Sequence, residues 1–265
     1  MALLRRGDVI QNEVERARRY RVIEPLGQGG FGEAYRVVEL DEHDNEYEAT
    51  CLKITTHADA WHGEAYFGAL LRHDAHVVRT LDAFPVILGA GRAARMRFCI
   101  DMELIEGGTV LDACARGELP WSEKRIRRQL ALLLRPLSLL HERGVSHRDI
   151  NPGNVFMGSR NVLKLGDFGI TKMSIKSTGV LADLYHPRYR PPNLGQRWVP
   201  SDDIYQVGLL AMTLRSGWAC DNTTGQVAVN QRFSRGPLRD AVKQAIQTNR
   251  RQRFPDAGSM ITALA

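Results

Sequence analysis

The feature that most constrains this chain is a group of polar residues close together in sequence. An HRD tripeptide ends at Asp149, Asn154 follows five positions later, and a DFG tripeptide begins at Asp167, thirteen positions beyond Asn154. An aspartate can orient and deprotonate a hydroxyl, while an asparagine and a second aspartate supply hard oxygen ligands for Mg²⁺. The spacing therefore predicts a phosphoryl-transfer site, with Asp149 as base and with Asn154 and Asp167 as metal ligands.

Length and composition exclude several other classes of protein. A chain of 265 residues can form one large domain or two lobes that share a cleft. Its 43% hydrophobic and 25% charged residues argue against a disordered or fibrous protein. No apolar run reaches 18 residues, and no signal peptide opens the chain, so we predict a cytoplasmic protein without a membrane segment. Reduced thiols, rather than disulfides or zinc ligands, are predicted for the four widely spaced cysteines: Cys51, Cys99, Cys114 and Cys220.

The net charge of +6 raises the question of nucleic-acid binding. Arginine-rich runs occur at 16–19, 125–128 and 250–253, but no nucleic-acid-binding signature accompanies them. We interpret them as a solvated surface and predict no nucleic-acid partner. Part of the charge would attract an anionic nucleotide.

A glycine-rich loop lies between two segments that have the pattern of strands, 20–23 and 33–38. In a dinucleotide-binding fold these glycines would open a helix, and a Walker A loop would continue with Gly-Lys-Ser/Thr; neither occurs here. The pattern instead predicts a strand–loop–strand hairpin. Gly27, Gly29 and Gly32 lack Cβ atoms, so their backbone amides could approach phosphate oxygens closely.

The rest of the chain changes from strand patterns to helix patterns. Further strands are predicted over 50–54 and 97–102, with a helix over 61–72 between them. Beyond a linker at 106–108, Ser122 is predicted to cap a helix that ends near His141, in which Pro136 would bend the axis or leave a carbonyl unpaired. A strongly apolar, buried helix is predicted around 204–214.

With these motifs in order, the chain resembles the catalytic domain of a eukaryotic-like (Hanks-type) protein kinase, and most of all the bacterial Ser/Thr protein kinases. The resemblance begins near Gly7 and continues to the C-terminus. It implies one protein kinase domain over 1–265 with an α+β, bilobal fold. A small, mainly antiparallel β N-lobe with one helix would occupy 1–106, and a larger, mainly helical C-lobe 107–265.

The resemblance also implies a site for ATP with Mg²⁺, or Mn²⁺ as an alternative metal. Lys53 would contact the α- and β-phosphates, and Glu64 would pair with Lys53, unless Glu64 is merely an exposed helical carboxylate. Met102 would be the gatekeeper, and the backbones of Glu103 and Ile105 would bond the adenine edge. Apolar walls around the adenine, which would serve equally well as ordinary core, would come from Leu26, Ala34, Cys51 and Phe156.

Two departures from the family pattern concern the region of the catalytic base. Asn151 stands where Ser/Thr members usually carry a lysine that meets the γ-phosphate. His186 stands before Pro187, where these members usually have a threonine in the substrate-facing loop. One hypothesis is that the cation has moved from the lysine to an imidazolium at His186. The alternative is that His186 simply packs in a loop.

A third departure is Asn193, in place of a glutamate that pairs in the family with an arginine matching Arg253. Arg253 would then need another partner, because a buried, unpaired guanidinium is unfavourable. Asp203 matches the family's anchor for the catalytic-loop backbone.

The activation segment would run from 167 to 193. The candidate phosphorylation sites in it, with Arg148 as their charge partner, are Ser174, Ser177 and Thr178. An ordinary loop rich in Ser and Thr is the alternative.

Three functions remain open at this point. The presence of the lysine, the glutamate, the base and both metal ligands favours a kinase that phosphorylates Ser or Thr in protein substrates. A nucleotide-binding pseudokinase or scaffold is the second possibility, since Asn151, His186 and Asn193 depart from the family pattern. A small-molecule kinase is the third, although such enzymes usually have a different catalytic-loop tripeptide.

Overall fold

The chain divides into two compact units. The computed structural model describes residues 3–30, 32–169, 171–173, 186–194 and 197–265. The first unit comprises Met1–His73 and Val78–Leu104, and the second comprises Asp74–Val77 and Ile105–Ala265. Among the described residues, no helix combines the length and the apolar character needed to cross a membrane.

The first unit is a β-sheet with one α-helix among its described residues. Its elements are β1 (Val9–Gln11), β2 (Arg19–Gly29), β3 (Gly32–Leu40), β4 (Glu46–Thr55), α1 (Ala58–Leu70), β5 (Thr80–Leu88) and β6 (Arg95–Glu103). The sheet order is β1-β2-β3-β4-β6-β5, and each neighbouring pair is antiparallel. This confirms the strands predicted on both sides of the glycine loop, and those predicted over 50–54 and 97–102.

The helix predicted over 61–72 is instead α1, which begins three residues earlier and ends two residues earlier. The residues added at its start, Ala58 to Ala60, include Asp59 in the first turn, where a carboxylate interacts favourably with the helix dipole. The buried residues of α1 are Glu64, Phe67 and Gly68, so its sequence carries little apolar periodicity to mark where the helix begins. Helix ends are the least visible part of such patterns.

An N-terminal arm, residues 3–11, covers part of the sheet. Leu4 and Ile10 are buried in the same hydrophobic cluster as residues of β2 and β3. The Leu3 amide donates to Glu33 Oε2 at 2.9 Å, and the Leu4 amide donates to the Tyr35 hydroxyl at 3.1 Å. That hydroxyl in turn donates to Glu33. The arm is therefore attached to β3 directly after the glycine loop.

A carboxylate lies in the core of the first unit. Asp101 on β6 is 1% exposed, and its two oxygens have no partner within hydrogen-bond geometry among the described residues. Burial raises the pKa of the Asp101 carboxyl to about 6, although the nearby Thr50 and Tyr20 hydroxyls and the Arg18 guanidinium, 4.0 Å away, favour the charged form. At neutral pH the folded chain therefore buries an ionised group that is poorly compensated.

We expect Asp101→Asn to stabilise the folded state at pH 7–8 by up to about 3 kcal/mol, the equivalent of about two pKa units. The folded-state pKa lies above the unfolded value of about 3.9, so unfolding releases a proton between roughly pH 4 and 6. Over this window the wild type loses stability as pH rises, relative to the variant. Urea denaturation of both proteins from pH 4 to 8 measures the difference, and parallel stability curves would contradict the prediction.

The second unit is mainly helical. Its helices are α2 (Val110–Ala115), α3 (Glu123–His141), α4 (Pro200–Ser216), α5 (Gln226–Arg232), α6 (Pro237–Ala245) and α7 (Ala257–Leu264). Short strands lie between α3 and α4: β7 (Val145–Ser146), β8 (Val155–Met157), β9 (Leu163–Leu165) and β10 (Lys172–Met173). β8 pairs antiparallel with β9, and β10 pairs with β7. Residues 74–77 join this unit because Val77 bridges Leu165 of β9.

Two helices position the residues between them. The Ser122 hydroxyl accepts from the Arg125 amide, which confirms the predicted cap of α3, and the helix continues through Pro136 to His141. α4 is buried without interruption from Ser201 to Leu214, as its apolar sequence predicted. Because a helix buried all round has fixed surroundings, the polar side chains of α4 can hold neighbouring loops in place.

Candidate functional site

In the first unit, the glycine loop is a tight hairpin between β2 and β3. Gly27 pairs with Ala34, and Gly29 pairs with Gly32. Gly32 has φ +144°, and a Cβ atom there would lie 2.2 Å from the Ile54 carbonyl oxygen, so this glycine is required by packing. A Cβ atom at Gly27 or Gly29 would meet nothing within 4 Å. Packing within the described chain therefore does not require the latter two glycines, and the close approach of phosphate oxygens to them stays a prediction.

Lys53 and Glu64 form the ion pair that the family resemblance implied. Lys53 Nζ lies 3.1 Å from Glu64 Oε1 and 2.8 Å from Glu64 Oε2. Both side chains are largely buried, 12% and 5% exposed. Glu64 is thus not an exposed helical carboxylate. α1 presents it toward β4, and the contact fixes the Lys53 ammonium on the sheet.

Register within the sheet arranges the other candidate residues of the first unit. Ala34 lies opposite Lys53, and Cys51 lies opposite Met102. Burial raises the pKa of the Cys51 thiol to about 12, so it stays neutral. Leu26 is 46% exposed. The amide of Glu103 donates to the Arg79 carbonyl, and its carboxylate accepts from the Arg79 amide. The other two candidates, Ile105 and Phe156, belong to the second unit.

In the second unit, Asp203 of α4 anchors the loop that carries the HRD tripeptide. Asp203 Oδ2 accepts from the His147 amide at 2.7 Å and lies 3.0 Å from His141 Nε2. Its Oδ1 accepts from the Arg148 amide at 2.9 Å and from Trp198 Nε1 at 2.7 Å. Burial acts to raise the pKa of Asp203, but these donors, with His141 foremost, lower it below the ordinary value. The carboxylate is therefore ionised and holds the loop backbone, as predicted.

His141 takes part in this network through both ring nitrogens. Its Nδ1 accepts from the Ala257 amide at 3.1 Å, so the proton belongs on Nε2, which faces Asp203. The HRD histidine, His147, is fully buried against Phe168, with ring centroids 4.8 Å apart. Burial lowers the pKa of His147, so its imidazole is neutral at pH 7.

Two asparagine amides hold the Asp149 carboxylate, one at each oxygen. Asn151 Nδ2 donates to Asp149 Oδ1 at 2.9 Å, and Asn154 Nδ2 donates to Asp149 Oδ2 at 2.7 Å. Each amide also donates to the Asp149 carbonyl, at 3.3 and 3.1 Å. Asn151 is itself fixed, because its Oδ1 accepts from the Gly153 amide at 2.8 Å. We call Asn151 and Asn154 the amide clamp; it sets the direction of the carboxylate.

The β8–β9 hairpin brings the two predicted metal ligands together. Asn154 directly precedes β8 and Asp167 follows β9 by two residues, so the antiparallel pairing places them at the same end. The Gly166 amide donates to the Asn154 carbonyl at 2.9 Å and closes this end. Because Asn154 Nδ2 is committed to Asp149, its amide oxygen is the atom suited to a metal.

In each of the HRD and DFG tripeptides, one non-glycine residue has a left-handed backbone conformation. Arg148 has φ +75° and Asp167 has φ +58°. Such conformations are unfavourable for most side chains and persist where the surroundings impose them. Asp203 holds Arg148 by accepting from its amide, and Asp167 follows the β8–β9 hairpin. Arg148 directly precedes the predicted base, and Asp167 is itself a predicted metal ligand.

His186 does not have the properties of a replacement cation. Burial and the neighbouring Arg188 lower its pKa, and its ring packs against Tyr189 with centroids 4.9 Å apart. An imidazole with a lowered pKa is neutral at pH 7. The observed packing instead matches the alternative interpretation of His186 as a loop residue.

The partner that Arg253 requires is Asp202, which sequence reasoning missed. Arg253 Nη1 lies 3.0 Å from Asp202 Oδ1, and both side chains are 0% exposed. Arg250 completes the cluster at 2.7 Å from Asp202 Oδ2. Among the described residues of the activation segment, Arg253 bonds the Pro192 carbonyl, at 3.3 Å. Asn193 has φ +54°, a left-handed conformation that asparagine tolerates better than glutamate.

Gln206 is a second functional residue that sequence reasoning missed. Its Oε1 accepts from the Ile150 amide at 2.9 Å, and its Nε2 donates to the Arg148 carbonyl at 3.2 Å and to the Tyr189 carbonyl at 3.3 Å. One buried amide thus holds the backbone on both sides of Asp149 and the segment around Tyr189. A glutamine within an otherwise apolar helical stretch was the available signal.

The candidate phosphorylation sites Ser174, Ser177 and Thr178 lie outside the described residues. Arg148, their predicted charge partner, is buried beside the base. The proposal of phosphorylation at these three positions therefore rests on the sequence alone.

Comparisons with known proteins agree with this arrangement. The family model described as protein kinase domain matches residues 20–256. Serine/threonine-protein kinase PknL of Mycobacterium tuberculosis is 32% identical over 216 residues, which cover 75% of this chain and 49% of PknL. Serine/threonine-protein kinase pkn2 of Myxococcus xanthus is 29% identical over 213 residues, which cover 75% of this chain and 24% of that protein. The chain thus spans about half or less of these relatives.

A solved structure shows the same fold. The kinase domain of PknI from Mycobacterium tuberculosis aligns with a TM-score of 0.67, 21% identity and coverage of 100% of this chain and 98% of that chain. The β-rich first unit and the helical second unit are those expected of the α+β protein-kinase fold.

Proposed function

The chain belongs to the protein kinase family, and we propose that it transfers the γ-phosphoryl group of ATP to serine and threonine hydroxyls of protein substrates. The observation that carries the proposal is the amide clamp, which holds Asp149 as an oriented carboxylate in contact with the predicted metal ligand Asn154. A base held in a fixed direction is what a hydroxyl nucleophile requires. Serine and threonine are proposed because both similar relatives are named serine/threonine-protein kinases.

In this proposal the first unit supplies groups for the nucleotide. The exposed glycine hairpin offers backbone amides at Gly27 and Gly29, where no side chain stands in the way. Lys53, held by Glu64, offers a fixed ammonium for the α- and β-phosphates. The adenine contacts of Met102, Glu103 and Ile105 remain proposals from the family.

The second unit supplies the groups for transfer. Asp149 would accept the proton of the attacking hydroxyl, while the amide clamp keeps its carboxylate from turning away. Asn154 and Asp167 offer one amide and one carboxylate oxygen, which suit Mg²⁺ or Mn²⁺. When bound, the metal neutralises charge on the phosphates. Asp203 and Gln206 keep the loop backbone in place around the base.

A nucleotide-binding pseudokinase is the second candidate, since Asn151 replaces a cation expected in Ser/Thr members of the family. Two contacts argue against it. Asn151 hydrogen-bonds the base directly. Asp202 gives Arg253 the acidic partner that the family's glutamate at position 193 would supply. At Asn151 the role in the site is kept by another side chain, and the loss of the glutamate at 193 is compensated by Asp202. The described cysteines are free thiols, which fits the cytoplasmic location proposed for this activity.

The test is incubation of the purified chain with labelled ATP, Mg²⁺ and generic protein substrates, followed by phosphoamino-acid analysis. Label on phosphoserine and phosphothreonine is expected, and Asp167→Asn should abolish it because the variant loses a charged metal ligand. Nucleotide binding without transfer would select the pseudokinase. Label on sugars or antibiotics but not on proteins would select a small-molecule kinase.

We expect Asn151→Ala to lower kcat about 10- to 100-fold, because it removes a hydrogen bond to a charged group worth about 1.5–3 kcal/mol. The KM for ATP should change little, since the contact of Asn151 is with Asp149. Asn151→Lys restores a donor and should recover most of kcat. Steady-state kinetics of the three proteins provide the measurement, and an alanine variant with kcat within twofold of wild type would contradict the role.

A further inference from the structure

We propose that this kinase selects serine or threonine residues flanked by anionic side chains, and that Arg190 and Arg197 are the specificity-determining residues. The inference rests on the proposed function and adds the class of substrate to it. Three lines of observation support it: the position of the segment 187–190 beside the base, its attachment, and its uncompensated charge.

Gln206 fixes the position of this segment. Its side-chain amide bonds the Arg148 carbonyl, the Ile150 amide and the Tyr189 carbonyl, all at 3.3 Å or less. Asp149 lies between the first two of these residues in the chain. The backbone at Tyr189 is therefore within one side chain's reach of the backbone that carries the base. A protein segment that presents its hydroxyl to Asp149 must pass close to residues 188–190.

The segment is also held from its other side. Asn222 Nδ2 donates to the Pro187 carbonyl at 3.0 Å and to the Arg190 carbonyl at 3.3 Å, and the Asn222 amide donates to the Arg188 carbonyl at 2.7 Å. Further along, Arg253 bonds the Pro192 carbonyl and Arg250 bonds the Arg197 carbonyl. Since Arg250 and Arg253 share the Asp202 carboxylate, the backbones at 192 and 197 converge on one cluster.

The charge on this surface is positive and incompletely neutralised. Between 186 and 201 the sequence contains three arginines and no acidic residue. Arg188 is paired with Asp221 at 3.1 Å. The next carboxylates in the chain already have partners. Asp202 is paired with two arginines, and Asp203 accepts from four donors.

Arg190 and Arg197 therefore remain as cations without an acidic partner in the part of the chain that the structure describes. Arg190 is half-buried and Arg197 is exposed, and neither guanidinium makes an ion pair or a hydrogen bond with another described residue. Carboxylate and phosphate groups are the ligands that arginine binds bidentately. Aspartate, glutamate or an already phosphorylated residue beside the target hydroxyl would supply them.

The experiment compares peptides that differ only in the residues around one serine, with glutamate, phosphoserine, glutamine or lysine at the flanking positions. Phosphatase-treated enzyme is used, so that phosphate on the enzyme itself does not occupy the arginines. The glutamate or phosphoserine peptide should have a KM at least about fivefold lower than the lysine peptide, as expected for two charge pairs at the protein surface. The difference in KM between the glutamate peptide and the phosphoserine peptide identifies the preferred anion. The preference should shrink at high salt.

Arg190→Gln combined with Arg197→Gln should remove this preference, and the double change to glutamate should reverse it toward the lysine peptide. A matched control is Arg127→Gln combined with Arg128→Gln, which removes the same charge from the exposed face of α3 and should leave the preference intact. A wild-type enzyme that prefers lysine, or an Arg190/Arg197 variant that loses activity equally on all peptides, would overturn the proposal.

Peptide binding, measured by fluorescence anisotropy without ATP, separates this proposal from the proposed function. If no peptide is phosphorylated but the anionic peptide binds through Arg190 and Arg197, the proposed function fails and the anionic selectivity stands. If phosphorylation occurs without discrimination among peptides, the function stands and the selectivity fails. Duplex DNA bound through these arginines, with no peptide discrimination, would likewise overturn the inference in favour of nucleic acid.

Discussion

Asp149→Ala is expected to lower the rate of phosphoryl transfer about 10²- to 10⁴-fold, the usual contribution of a positioned general base. The effect should appear in kcat, because Asp149 acts on the hydroxyl nucleophile, whereas the nucleotide phosphates are assigned to Lys53 and the glycine hairpin. Single-turnover transfer from labelled ATP to a protein substrate gives the measurement. Asp149→Asn keeps the shape of the side chain, removes the base and should show a similar loss.

Folding of these variants is checked independently. Asp149 is 9% exposed, and the hydrogen bonds described for it join residues of the same loop, so thermal unfolding should shift by only a few degrees. Asp240→Ala is a suitable control, because it removes an exposed carboxylate of α6 that pairs with the neighbouring Arg239, at 3.4 Å. Transfer in Asp149→Ala within threefold of wild type, in folded protein, would show that another group acts as base.

The second large effect expected is on stability. Asp202→Ala should lower the free energy of unfolding by about 3–5 kcal/mol, because it leaves the fully buried Arg253 guanidinium without its counter-charge. Burial already lowers the pKa of Arg253, and Asp202 is the foremost group that opposes this shift. Urea denaturation at pH 7 measures the change.

A second variant separates the effect of removing the whole ion pair from the effect of removing Asp202 alone. Asp202→Ala combined with Arg253→Met removes the buried charge together with its partner and should be more stable than Asp202→Ala alone. Asp221→Ala, which breaks the partly exposed pair with Arg188 and the bonds that Asp221 accepts from Thr223, should cost less, about 1 kcal/mol. Equal stability losses for Asp202→Ala and Asp221→Ala would rule out the buried cluster as a major stabilising element.

Sequence reasoning predicted the elements and contacts that follow local patterns or family motifs. The strands around the glycine loop, the Ser122 cap, the pairing of Lys53 with Glu64 and the anchoring role of Asp203 were all accessible, because each depends on a spacing or a motif. The ends of α1 were misplaced, because a helix whose buried residues are Glu64, Phe67 and Gly68 has little apolar periodicity to mark its bounds.

Contacts that depend on the position of distant residues were not accessible. Asp202 lies 51 positions before Arg253, and only the packing of α4 shows that its carboxylate, and not a residue at 193, reaches the guanidinium. Asn151 was visible as a departure, but its bond to Asp149 depends on rotamer and loop conformation. Gln206 reaches Tyr189 and the catalytic loop because α4 is central to its unit.

The attachment of the N-terminal arm has a practical consequence for anyone who prepares this protein. Leu3 and Leu4 bond side chains of Glu33 and Tyr35, immediately beyond Gly32. An affinity tag fused ahead of these two leucines, or a truncation that removes them, would act on the hairpin assigned to the nucleotide phosphates. Nucleotide affinities obtained with tags at opposite ends of the chain should therefore be compared before either value is taken as intrinsic.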